Sequence, residues 1–303
     1  MDGKISNFDQ IASLRRYKFT EGTEEGIEVI ECNNGRIRFL LNVSKCLDIM
    51  QLYYEGMNVS FVSKNGFTKR EISFVKRFEG GMLYTCGLDS LGAREGYDLH
   101  GSIHNTPAKI IKAKCDKDGI RVEALIKDTS LFGSNLILKR CIFTLLESND
   151  VEIIDEIVNL GYKSENYCLL YHVNLGYPML SDGAIVEASI KNCESRNKWS
   201  EQNISSMFMI SDAVPNQEEM CYFLKLNTPS VSLINKKINK KFTITYSQNT
   251  LPCFIQWKSM ASGDYALGLE PCTTFLDDRF EYKKIQPNES IKFEIKFTIN
   301  NIK

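Results

Sequence analysis

The sequence predicts an all-β chain: one large domain over residues 1–303, folded as a sandwich or related stack of mostly antiparallel strands. Three observations predict it. Short apolar runs recur along the whole chain, several of them alternating with polar residues. Turn-forming residues punctuate the runs at hairpin spacing rather than at the spacing of a βαβ crossover. Helical periodicity over eleven or more residues is scarce, and the two candidate segments, 8–16 and 195–204, are too weak to be taken as helices.

In chain order the strand-like runs are 26–32, 36–43, 47–54, 108–114, 119–127, 135–148, 151–160, 166–175, 241–247 and 290–299. The last is the clearest. Ile291, Phe293, Ile295, Phe297 and Ile299 fall on one face, and Lys292, Glu294, Lys296 and Thr298 on the other, as expected for a strand with one buried face. Between runs lie Asn33-Asn34-Gly35, Lys64-Asn65-Gly66, Asp116-Lys117-Asp118-Gly119, Ser148-Asn149-Asp150 and Ser181-Asp182-Gly183. These residues accept a positive φ or close a turn with a side-chain hydrogen bond. Seven prolines spread thinly and the lack of low-complexity tracts leave no visible linker.

Composition narrows the function. Apolar residues make up 43%, charged residues 25% and aromatics 11%, which is ordinary for a folded protein. With 37 Lys+Arg against 38 Asp+Glu, the formal charge of −1 gives no sign of a nucleic-acid partner. No apolar stretch is long enough to span a membrane, and the first residues lack the apolar core of a secretory signal. The ten cysteines include no CxxC pair, and several sit in apolar runs. They read as buried reduced thiols in a cytoplasmic protein.

Few residues are suited to chemistry. Of three histidines, His100 and His104 form an HxxxH spacing that would bind zinc on a helix. Gly101 and Pro107 oppose a helix, no third ligand is near in sequence, and no metal is expected. Gly80, Gly81, Gly87 and Gly92 flank a strand-like core, either as a rim turn or to let a ligand approach the backbone. In a strand, His172 shares a face with Asn174, a polar pair suited to a polyol. The alternative is a core histidine bonded to a carbonyl. Gln256 and Trp257 offer an amide and an aromatic platform, unless Trp257 is simply core. Glu270 closes an apolar stretch before Pro271, exposed at a strand end or held in a pocket.

Together these segments resemble the aldose 1-epimerase (galactose mutarotase-like) superfamily, nearest to the branch catalogued as domain of unknown function 4432. The resemblance rests on 80–88 (GGMLYTCGL), 99–101 (LHG), 172–178 (HVNLGYP), 256–258 (QWK) and 268–271 (GLEP), with 42–49 (NVSKCLDI) similar to an earlier motif. It covers about residues 40 to 275 and implies a β-supersandwich with its site in a groove across one sheet. Carried over residue by residue, it implies Glu270 as general base on the anomeric hydroxyl. His172 is then the acid at the ring oxygen, and His100 a second, binding histidine. Lys45 stands where this branch often has arginine, which keeps a cation but loses the bidentate fork. Asp48, Asn174, Gln256 and Trp257 complete the expected substrate-binding set. A carboxylate beside His172 is expected to raise its pKa.

The expected function is interconversion of sugar anomers by a monomer or homodimer, with no cofactor and a small sugar as partner. The alternatives are a non-catalytic sugar-binding or sensing protein on the same fold, or an isomerase or lyase for a sugar acid with Lys45 or Arg94 holding the carboxylate.

Overall fold

The computed structural model describes residues 3–302. The first sheet is an antiparallel meander of five strands in sequence order: β1 (Ser13–Lys18), β2 (Glu28–Asn33), β3 (Ile37–Asn42), β4 (Asp48–Tyr54) and β5 (Met57–Asn58). The remaining strands are β6 (Tyr84–Leu88), β7 (Lys109–Asp116), β8 (Gly119–Thr129), β9 (Asn135–Thr144), β10 (Asp150–Asn159), β11 (Glu165–Leu175), β12 (Ile185–Ser195), β13 (Met220–Asn235), β14 (Lys240–Tyr246), β15 (Cys253–Ala261), β16 (Asp264–Cys272), β17 (Lys283–Ile285) and β18 (Ser290–Asn301). They form a second, thirteen-stranded sheet with the path β17-β11-β16-β15-β13-β14-β18-β10-β9-β8-β7, β12 pairing with β13 and β6 with β11.

The long sheet bends at β13. Met220–Leu224 pair with β15, whereas Ser230–Asn235 pair with β14. β12 runs beside both halves with register shifts between Ala188 and Asn192, the local irregularity a bending strand requires. The two wings then face each other. The ring of Tyr167 on β11 meets Phe293 on β18 at 6.3 Å, and the Tyr171 hydroxyl donates to Asp155 Oδ2 on β10 at 2.8 Å. Period-two alternation builds the core between them. Leu169, Tyr171, Val173 and Leu175 of β11 meet Ile153 and Ile157 of β10 and Phe293, Ile295 and Phe297 of β18. Each such side chain contributes roughly 1.5–3 kcal/mol by leaving water.

The outer face of the β13–β15–β16–β11–β6 wing is covered differently. Cys86, Cys168, Leu170, Ile255 and Cys272 form a smaller apolar cluster there with Phe275. Loop segments and the one-turn helix α1 (Phe74–Arg77) lie over it.

Segment 8–16, a helix candidate in the sequence, is a 3-10 turn at Phe8–Gln10 running into β1. Segment 195–204 contains only the short α2 (Lys198–Gln202) and the start of a 3-10 turn. All ten cysteines are free, and seven are buried. Among the described residues no helix is long and apolar enough to cross a membrane.

Candidate active site

The outer face of that wing carries a hollow of about 750 Å³. Strand alternation aims its floor. On β16, Leu267 and Leu269 enter the core while Gly268 and Glu270 face outward. On β15, Ile255, Trp257 and Ser259 face outward, and on β11 so does His172. Phe74 and Phe78 from the α1 segment wall one side, and His100 arrives from the loop before the 3-10 turn Ile103–Asn105. His100 has φ +65, a left-handed conformation sparsely used by residues with a Cβ.

His172 Nε2 lies 3.3 Å from Glu270 Oε1. The His172 ring meets His100 edge-on at 5.9 Å, Phe78 at 5.5 Å and Trp257 at 5.5 Å. Trp257 is fixed by its Nε1–H, which donates to Glu219 Oε2 at 2.6 Å, and Glu219 is paired with Arg196. Glu270 Oε1, His172 Nδ1 and His100 Nδ1 are buried polar atoms without a hydrogen-bond partner in the protein. Such atoms are costly to leave unsatisfied, and all three belong to residues that line the hollow.

Gly268 explains how the pair comes so close. A Cβ there would stand 2.4 Å from Glu270 Oε1, 3.1 Å from His172 Cε1 and 3.2 Å from Trp257 Cβ. The requirement is for space, since this glycine's φ is not in the left-handed region.

Burial sets the protonation of the pair. It drives the Glu270 carboxyl well above the usual carboxylate range, with Arg196 opposing and Glu219 adding. It pulls His172 down to about 3, helped by His100, while a hydrogen bond involving Asn174 opposes. The expectation that a neighbouring carboxylate raises His172 is therefore reversed: loss of water around the imidazole outweighs the carboxylate. His100 falls to about 4, from burial first and then Arg196. In the hollow the favoured state is a protonated Glu270 beside a neutral His172, one proton between two groups.

Four expected binding residues lie elsewhere. Lys45 Nζ is buried against Glu79 Oε2 at 2.6 Å. Asp48 accepts from the Thr85 amide at 2.8 Å and from Arg140 Nη1 at 2.6 Å, and contacts His104 Nδ1 at 2.6 Å. These are parts of one interior network. Glu79 Oε1 is 3.3 Å from His104 Nε2, and Arg140 also donates to both oxygens of Asp155, at 2.9 and 2.6 Å. The network joins the two sheets, and none of its residues lines the hollow. Asn174 shares the face of His172, but the Phe61 amide donates to its carbonyl at 2.9 Å, so the chain at 60–61 lies across it. Gln256 is on the opposite face of β15 from Trp257, where its Nε2 donates to Met207 O at 2.7 Å. Neither candidate for a sugar-acid carboxylate reaches the hollow: Lys45 is buried as above, and Arg94 stacks on Phe280 at 3.3 Å. His104, part of the HxxxH spacing, stacks on Tyr84 at 3.6 Å, away from His100. Among the described residues no group of three or more His, Cys, Asp or Glu is placed to hold a metal.

Arg196, Glu219, Phe74 and Phe78 line the hollow and were not singled out from the sequence. They come from the one-turn helix α1 and its C-cap and from the loops beside β12 and β13, without periodicity or motif, so only the fold collects them.

The architecture and the face that bears the hollow define a galactose mutarotase-like fold. A protein from Klebsiella pneumoniae, provisionally named an aldose 1-epimerase, superposes with a TM-score of 0.86 at 20% identity, over 97% of this chain and 86% of that one. A galactose mutarotase-like protein from Clostridium acetobutylicum gives 0.72 at 16% identity, over 97% and 100%. One from Lactobacillus casei gives 0.64 at 11% identity, over 90% and 100%. No curated protein matches the sequence. The family model described as Domain of unknown function (DUF4432) matches residues 24–299, and the chain belongs to that family.

Proposed function

We propose that this chain is an aldose 1-epimerase-like isomerase, acting as one galactose mutarotase-like unit on the anomers of a reducing sugar. The observation that carries the reading is the His172–Glu270 contact of 3.3 Å, at the floor of a hollow bordered by His100 and Trp257. The reaction needs one proton removed from the anomeric O1 hydroxyl and one delivered to the ring oxygen. Both oxygens are bonded to the same carbon, so acid and base must be neighbours.

In the forward sense, Glu270 as carboxylate takes the O1 proton and protonated His172 gives its proton to the ring oxygen. The C1–ring-oxygen bond breaks, and O1 becomes the aldehyde oxygen. Glu270 is then protonated and His172 neutral, the state that burial favours. Rotation about C1–C2 exposes the other carbonyl face. Closure reverses both transfers and yields the other anomer. Because the pair shares one proton, either group can begin as the acid. General acid and base catalysis each contribute about 10²–10⁴-fold. Trp257 supplies an aromatic face for the sugar's C–H surface.

The test is saturation-transfer NMR of anomer exchange over a panel of aldoses. Glu270→Gln and His172→Ala are expected to remove the acceleration with the far-UV circular dichroism unchanged. A second reading, sugar binding without catalysis, draws on the same burial, which disfavours an ionised base. Retained sugar affinity in Glu270→Gln with spontaneous exchange rates in the wild type would select it.

A further inference from the structure

Five cysteines cluster on the outer face of the β13–β15–β16–β11–β6 wing, and the reaction proposed above uses none of them. Cys86, Cys168, Cys221, Cys253 and Cys272 share one apolar cluster. Strand register sorts them. Cys253 on β15 and Cys272 on β16 are direct cross-strand partners. Cys86 lies opposite Leu170, Cys168 opposite Leu88 and Cys221 opposite Trp257, so none of those three has a cysteine as its partner there. Directly opposed residues of an antiparallel pair have Cα atoms about 4.5–5.5 Å apart, inside the roughly 4.4–6.8 Å that a disulfide spans. Both side chains point to the same face. Cys253 keeps step with Ile255 and Trp257, and Cys272 with Gly268 and Glu270. Cys253 is the first residue of β15 and Cys272 the last of β16. The pair therefore ends the ladder, where no further rung holds the two backbones apart.

The two thiols differ in their surroundings. Cys272 is fully buried, whereas Cys253 keeps 7% exposure and adjoins the exposed Pro252. From β13, Lys225 Nζ donates to Cys253 Sγ and to the Pro252 carbonyl, both at 3.2 Å, and lies 4.8 Å from the centre of the Phe275 ring. An ammonium so placed favours the thiolate, which is the nucleophilic form of cysteine. Burial pushes the Cys272 thiol up, and it keeps its proton.

We propose that Cys253 and Cys272 form a dithiol site oxidised by hydroperoxides, with Cys253 attacking and Cys272 resolving. The Cys253 thiolate attacks one peroxide oxygen. An S–O bond forms, the O–O bond breaks, and the other oxygen leaves as alkoxide or hydroxide and is protonated by water. Sulfur gives up two electrons and the peroxide takes them. The Cys272 thiol then attacks the sulfenic sulfur. The S–S bond forms, the S–O bond breaks, and the hydroxyl leaves with the Cys272 proton as water. The product ties β15 to β16 two residues beyond Glu270. This inference stands whether or not the chain isomerises sugars.

The experiment treats the reduced full chain with hydrogen peroxide at neutral pH, alkylates the remaining thiols in denaturant and maps the peptides by mass spectrometry. Two of the ten thiols should escape alkylation. They should appear in peptides joined through Cys253 and Cys272, lighter by two hydrogens, and dithiothreitol should restore both. In Cys272→Ser, dimedone should trap a sulfenic acid at Cys253. In Cys253→Ser, Cys272 should stay reduced. Lys225→Met, which removes the cation beside Cys253, should slow bond formation about fivefold or more. A wild type that keeps all ten thiols, or a bond joining other cysteines, overturns the site. Oxidation of Cys272 in Cys253→Ser, or a wild-type rate in Lys225→Met, overturns Cys253 as the attacking thiol. Should either serine variant misfold by circular dichroism, the wild-type peptide map and the Lys225→Met rate decide.

Discussion

Glu270 and His172 pull the pH dependence of stability in opposite directions. Between its unfolded value of 6.5 and its folded value of about 3, His172 is protonated in the unfolded chain but not in the folded one. Its contribution is full above 6.5 and is lost as pH falls, at about 1.4 kcal/mol per pH unit. His100 acts in the same sense between 6.5 and about 4. Glu270 acts the other way: the folded chain keeps a proton that the unfolded chain releases above about 4.5, so stability falls as pH rises from there toward the folded value. Urea melts of His172→Asn at pH 5 and 6.5 should accordingly show a pH slope shallower than wild type by about 1.4 kcal/mol per unit. Glu270→Gln should gain Tm relative to wild type as pH rises from 4.5 to 8. A gap that does not widen with pH would mean that Glu270 is ionised in the folded protein.

Single strands decide which side chains meet. On β16, Gly268→Ala is expected to keep the fold, since the nearest atom to the new Cβ is the mobile carboxylate of Glu270 at 2.4 Å. That carboxylate must move, and anomer exchange should fall at least tenfold with Tm within about 2 °C of wild type. On β15, the buried Lys258 sends its Nζ to the carbonyls of Ser206, Met207 and Met209 at 2.9, 3.3 and 3.0 Å. Burial draws its ammonium down to about 8. Lys258→Met removes three of the bonds to those carbonyls, although Met207 O keeps Gln256 Nε2 and Ser206 O keeps the Met209 amide, and should cost about 2 kcal/mol in a urea melt at pH 7.

The same strands mark how far the sequence could be read. The ten runs all lie in strands because turn residues and alternation are local signals, although the run 135–148 ends as β9 at Thr144. β12 and β13 escaped notice: their burial does not alternate cleanly where the sheet bends. Glu270, His172, His100 and Trp257 were legible through motif resemblance, and the hollow brings all four together. Gln256 was not, because residues adjacent in a strand point to opposite faces and a motif does not say which face is the floor. Lys45 and Asp48 sit in a matching segment, but their partners Glu79 and Arg140 are 34 and 92 residues away, beyond any local pattern.

At the scale of the whole molecule, the two sheets are fastened by a buried guanidinium. Arg140 on β9 is bonded to Asp48 of β4, to Thr85 of β6 and to Asp155 of β10, and the Tyr171 hydroxyl of β11 closes the set. Removing it leaves Asp48 and Asp155 buried without their cation. Arg140→Ala should lose about 3–5 kcal/mol in chemical denaturation, far more than an exposed arginine would. Arg121, on the outer side of β8 with Glu123, is the matched control and should cost about 1 kcal/mol or less.

That fastening also bears on how the protein is made. A ribosome delivers β1–β5 early, but their buried anion, Asp48, must wait 92 residues for its guanidinium. The second carboxylate, Asp155, emerges 15 residues after that. Until both are out of the exit tunnel, docking the first sheet would strand an unmatched charge in oil-like surroundings. The nascent amino-terminal meander is thereby held open until the rest of the clasp arrives, at the cost of leaving its apolar face within reach of chaperones during translation.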